Sequence, residues 1–81
     1  MRGNFKLGKL YIIEWLDAAG YLMEELEKAK PCLCITVGWV KSIEDDHIVI
    51  ASSLYKNESY GDFCVLPLGM IKKATQIKEE K

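Results

Sequence analysis

The sequence predicts a mainly β protein: a small closed barrel of five short strands, with one short helix after the first strand. Three observations carry this. Runs rich in β-branched and aromatic residues, alternating with period two, recur between polar breaks through most of the chain. A single stretch, residues 21–30, is built from strong helix formers. The chain has 81 residues, enough for one domain, and an open sheet of this size would leave long unpaired edges that closure removes.

Residues 1–9 are polar, include two glycines, and are expected to be a loose N-terminal segment. Residues 10–16, LYIIEWL, form the first strand, with Tyr11, Ile13 and Trp15 on one face and Leu10, Ile12, Glu14 and Leu16 on the other. The stretch Asp17-Ala18-Ala19-Gly20 breaks it. In residues 21–30, YLMEELEKAK, Leu22, Met23, Leu26 and Ala29 fall at helical spacing, and Pro31 stops the helix. A helix of two to three turns is marginal alone, so its apolar stripe needs the sheet.

Residues 32–42, CLCITVGWVKS, alternate between Leu33, Ile35, Val37 and Trp39 on one face and Cys34, Thr36, Gly38 and Val40 on the other. Both faces are largely apolar, as in a central or sharply bent strand, and Gly38 is the natural place for the bend. Glu44-Asp45-Asp46 makes a turn, because Asp bonds nearby backbone and tolerates a left-handed conformation. Residues 47–55 return as a strand, residues 56–62 (KNESYGD) are a polar loop, and residues 63–68 (FCVLPL) are a strand with Pro67 at its end or on an edge. Residues 69–72 suit a tight helical turn, residues 74–78 a last strand and residues 79–81 a solvated tail, which gives one barrel domain over residues 10–78. Alternation places Ile35, Val37, Trp39, Ile48, Ile50, Val65 and Ile71 in a common core, with Trp15 partly buried.

Thr36-Val37-Gly38-Trp39, followed by residues 45–51 (DDHIVIA) and by Gly61-Asp62 and residues 66–71 (LPLGMI), resembles a group of small phage- and prophage-encoded proteins, and Glu14-Trp15-Leu16-Asp17-Ala18 extends the likeness. It covers roughly residues 10–78 and its motifs are structural. At a coarser level the layout is similar to an SH3-like or Sm-like barrel, which implies a short 3₁₀ turn at Leu66-Pro67 to Met70-Ile71 before the last strand. The aromatic peptide-binding set of SH3 domains does not carry over, because Met70 stands where a groove tyrosine would be, and the RNA-binding motifs of Sm proteins are also missing. The resemblance therefore implies a fold and a setting, while the ligand has to be argued from the residues.

Formal net charge is −1, from 11 basic and 12 acidic residues, without the basic excess that non-specific phosphate binding requires. No apolar run approaches the roughly 18–20 residues of a membrane span, and the first residues do not read as a leader, so the expected setting is a cytoplasm, that of the host for a phage protein. No nucleophile–base pair, phosphate-cradling glycine loop or metal motif is evident, and the expectation is a non-catalytic protein without cofactor. Cys32, Cys34, Cys64 and His47 could be counted as four zinc ligands, but one C-x-C with a lone third cysteine lacks paired knuckles, and the cysteines are expected to be reduced and metal-free. Glu44, Asp45 and Asp46 have no calcium-loop pattern after them and are expected only to solvate their turn. Two functional readings follow. The first is a protein-interaction or assembly module that binds another chain, or itself, through strand edges and the helix surface, with Lys72, Lys73, Tyr55 and Tyr60 as candidate partner contacts. The second is an Sm-like RNA-binding barrel that contacts its ligand through Lys72 and Lys73 and stacks bases on Tyr55 and Tyr60. The near-neutral charge favours the first.

Overall fold

Tyr11 and Ile13 point to one side of the first strand and Ile12 to the other. The structure, a computed structural model that describes residues 5–17 and 32–79, buries the first two and leaves Ile12 exposed. The chain is mainly β, with strands β1 (Leu10–Asp17), β2 (Cys32–Ile43), β3 (His47–Leu54), β4 (Tyr60–Pro67) and β5 (Ile71–Ile77), and a 3₁₀ turn, Leu68–Met70, between the last two. All ladders are antiparallel, and the five strands form one sheet in the order β4-β3-β2-β1-β5. Among the described residues no ladder joins β4 to β5. The helix expected over residues 21–30 lies outside the described residues.

The longest strand is shared between two ladders. Cys32 to Trp39 pair with β1, from Asp17 back to Leu10, and Trp39 to Ile43 pair with β3, with a bulge between Val40 and Ser42. The glycine expected at a bend sits where the two halves meet. A Cβ on Gly38 would lie 2.6 Å from the Ala51 carbonyl oxygen and 3.1 Å from its carbon, so the backbone of β3 approaches closer than any side chain permits.

The core gathers on one face: Tyr11 and Ile13 from β1, Val40 from β2, Ile48 and Ile50 from β3, Leu66 from β4, and Leu68 and Ile71 at the final turn, with Trp15, Cys64 and Ala74 packed against them. Ile48, Ile50 and Ile71 lie in the core as expected, and Trp15 is half-buried. Ile35, Val37 and Val65 do not: they are 66%, 46% and 59% exposed, and Trp39 is only half-buried. Pairing is the physical reason. Tyr11 faces Gly38 and Ile13 faces Thr36, so β1 supplies the bulk on the inner face and β2 contributes small residues there. The large residues of β2 are carried to the opposite face with Leu10 and Ile12. On β4, Leu66 opposite Ile48 takes the inward position, and Val65 opposite Val49 the outward one.

Residues 5–9, where polar composition suggests a loose end, are tied to this body. Phe5 is buried and meets Tyr11 edge to face at 5.0 Å, the Lys6 amide donates to the Tyr11 hydroxyl (2.8 Å), and the Gly8 amide donates to the Val40 carbonyl (2.7 Å). At the other end Glu79, assigned to the solvated tail, accepts a hydrogen bond from Trp39 Nε1 at 3.0 Å. β4 starts three residues before the expected Phe63, because Tyr60 and Gly61 pair with Leu54 and Ser53. β5 likewise starts at Ile71, paired with Trp15, before the expected Ala74.

Candidate interaction surfaces

Lys72 and Lys73 open β5, and both are exposed. Lys73 is the cross-strand partner of Glu14, so an opposite charge sits beside it, and Lys72 occupies the irregularity between the Glu14–Lys73 and Trp15–Ile71 pairs. Tyr55 and Tyr60 flank the β3–β4 loop. Tyr55 is 51% exposed and its ring lies over Gly61, where a Cβ would meet the hydroxyl at 2.6 Å. Tyr60 is half-buried and occupied: its ring meets Trp39 edge to face at 5.6 Å, and Lys41 Nζ sits 3.6 Å above it. The lysines follow the end of β4 and the tyrosines its start, about one strand length, roughly 25 Å, apart. The structure thus does not gather Lys72, Lys73, Tyr55 and Tyr60 into one site, and Tyr60 already has a cation on its face.

The three cysteines are free. Cys32 and Cys34 stand side by side on the inner-facing edge of β2, opposite Asp17 and Trp15, while Cys64 packs against the core opposite Ile50 on β3. Desolvation, then the neighbouring Cys32 and the charge of Asp17, push the Cys34 thiol up from its ordinary value, which favours the unreactive protonated form. Among the described residues no group of three or more His, Cys, Asp or Glu side chains is placed to hold a metal ion.

The acidic turn is bonded to its own hairpin and to the 3₁₀ turn at Leu68. The Glu44 amide donates to the His47 carbonyl (2.8 Å), Ser42 Oγ to Glu44 Oε2 (3.0 Å), and the Leu68 amide to the Asp46 carbonyl (2.9 Å). The Asp46 carboxylate lies 2.6 Å from His47 Nδ1, and this hydrogen bond, reinforced by the imidazole charge, holds its pKa below the usual aspartate value.

The surface that sequence reasoning missed is apolar. Ile12, Leu33, Ile35, Val37, Phe63 and Val65 are 38%, 57%, 66%, 46%, 60% and 59% exposed, and all lie on the face opposite the core. Ile35, Val37 and Val65 are expected in the core from alternation, whereas Ile12, Leu33 and Phe63 are expected only as strand residues. The signal that separates the two faces is the small residue opposite each bulky one, Gly38 against Tyr11 and Thr36 against Ile13. The two apolar groups lie on different ladders: Ile12 beside Val37 on β1–β2, and Val65 beside Val49 on β3–β4. Among the described residues no helix is long and apolar enough to cross a membrane. No family model, curated protein or solved structure matches this chain.

Proposed function

We propose that the chain is a small non-catalytic SH3-like barrel of phage or prophage origin, working in the host cytoplasm as a protein-interaction or assembly module and able to associate with itself. The apolar outer face carries this reading. A row of half-exposed aliphatic side chains on a strand is the chemistry of a protein contact. The near-neutral charge fits a protein partner better than a polyanion.

Barrel closure is supported by distance. Four inter-strand steps would separate β4 from β5 by roughly 19 Å in a flat sheet, whereas a three-residue 3₁₀ turn spans about 6–8 Å. The sheet has to roll for Leu68–Met70 to join its two end strands. The 3₁₀ turn at Leu68–Met70, directly before the last strand, supports the SH3-like reading.

Amide chemical shifts followed through a dilution series of the protein, and separately through addition of a short single-stranded RNA at low and high salt, test the reading. The expected result is concentration-dependent shifts on the outer face and no saturable RNA response. RNA-induced, salt-sensitive shifts at Lys72, Lys73 and Tyr55, without any effect of protein concentration, would replace it with the RNA-binding reading.

A further inference from the structure

We infer that the edge of β2 at Leu33, Ile35 and Val37, on which no described strand pairs, is a homodimerisation edge, at which a second copy of the chain pairs antiparallel about a two-fold axis at Ile35. This rests on the interaction-module reading and gives it a site and a partner.

Val40 donates its amide to Lys9 and accepts from the Gly8 amide, so the amide and carbonyl of Val40 point toward the β1 side. Pairing of β1 with β2 runs without irregularity from Trp39 to Cys32. Backbone groups alternate sides along a strand, so those of Cys34, Thr36 and Gly38 also point to β1, and those of Leu33, Ile35 and Val37 point away from it. β3 takes over that side only from Trp39 onward. Among the described residues no strand pairs with β2 on that side at Leu33, Ile35 or Val37. Natural edges are blunted by charge, by proline or by a bulge, and the sequence from Cys32 to Gly38 has none of the three.

Self-complementarity then selects the occupant and the register. With the axis at Ile35, Leu33 of one copy faces Val37 of the other and Ile35 faces Ile35, so all six amide and carbonyl groups presented by each copy meet a partner. Moving the axis to Cys34 would carry Val37 past Cys32, where β2 begins, and leave it without a strand residue opposite. Moving it to Thr36 would set Leu33 opposite Trp39, which is already paired with Ala51. The Ile35 axis is therefore the register that leaves no free group of this segment unmatched. It also brings together the three aliphatic side chains of each copy, which are 57%, 66% and 46% exposed, in one uncharged row on the outer face. A net charge of −1 opposes this association little.

The size of the contact sets its strength. One strand edge with its neighbours on β1 engages about ten residues a side, against the roughly 20–30 a side of a standard interface, so the dimer is weak and forms at high protein concentration. It is a reversible contact suited to an assembly in which many copies are held close together.

Sedimentation velocity across a wide concentration range, on the wild type and on Ile35→Lys, reads the association. Ile35 is 66% exposed, so the substitution leaves the core untouched. A monomer–dimer equilibrium weakened at least tenfold by Ile35→Lys is the expected result. The register is read by disulfide trapping in a background with Cys32, Cys34 and Cys64 replaced by serine. Ile35→Cys should cross-link to itself in oxidised glutathione, since facing residues in such a ladder lie about 5.5 Å apart between Cα atoms, while Leu33→Cys should not. A chain that stays monomeric throughout overturns the β2 edge and leaves the module reading to rest on a different protein. A dimer indifferent to Ile35→Lys, or trapped equally well at Leu33, overturns the edge while keeping self-association.

Discussion

Glu58 has φ of 69° in the β3–β4 loop, a left-handed conformation held by the bonds from its amide to Tyr55 and from the Tyr55 amide to Ser59. A side chain there costs about 1–2 kcal/mol, and glycine removes that cost while losing about 0.5–1 kcal/mol to its freer unfolded chain. Glu58→Gly should therefore raise the urea midpoint by the equivalent of roughly 0.5–1 kcal/mol. Gly38 is the opposite case, because any Cβ meets the rigid Ala51 backbone and not a side chain that can swing away. Gly38→Ala should cost about 1–3 kcal/mol by overpacking, and Gly38→Val more, measured as loss of unfolding free energy. Asp46 is a surface carboxylate whose hydrogen bond from His47 lowers its folded pKa. A carboxyl of this kind stabilises fully above its unfolded pKa of about 3.9, and the contribution disappears as pH falls through the lower folded value. The stability difference between wild type and Asp46→Asn should thus be small, present at neutral pH and absent below that window, as pH-dependent urea unfolding would show.

The strands were legible because most are runs of β-branched and aromatic residues closed by a turn signal, and five strands are seen in the structure. Their faces were less legible. On β2 both alternating sets are apolar, so periodicity fixes which residues share a face but not which face is inside; the pairing of Tyr11 with Gly38 decides that, and a single strand read alone does not contain it. The bulge between Val40 and Ser42 then changes the alternation in mid-strand. Boundaries slipped for a similar reason: Tyr60 and Gly61, expected in the 56–62 loop, are strand because Leu54 and Ser53 offer them ladder partners. The candidate contact residues rest on local composition, and the fold puts Lys72 and Lys73 about one strand length from Tyr55 and Tyr60. At the β2–β3 turn, sequence and structure agree on a tight hairpin, and Glu44 and Asp46 bond within the hairpin and to Leu68 at the 3₁₀ turn after β4. Replacing Glu44, Asp45 and Asp46 with Gln and Asn should change the urea midpoint little, and addition of calcium or magnesium should leave the amide shifts of residues 44–47 in place.

At the scale of the whole molecule, stability is concentrated in few side chains. A chain of 81 residues has about 4–12 kcal/mol to lose, and it buries only about 60–65% of its unfolded surface. Among the described residues the fully buried bulk is Ile13, Val40, Ile48, Ile50 and Leu66, drawn from four of the five strands. Ile50 sits near the middle of this set, paired with Val40 on one side and Cys64 on the other, so it joins the ladders of β2 and β4 through one side chain. Truncating it opens a cavity that rigid strands on both sides cannot close, at a cost of about 2–5 kcal/mol, which is a large share of the total. Val65 is one residue from Cys64 on β4 and equally aliphatic, yet it points outward and is 59% exposed, so Val65→Ala should stay within about 0.5 kcal/mol of wild type. Urea unfolding of the two variants side by side tests the assignment of faces. A large midpoint shift for Ile50→Ala with little for Val65→Ala is the outcome this core requires. Comparable losses at both sites would mean that the outer face is packed in the free protein, and would take away the exposed apolar surface on which the interaction reading stands.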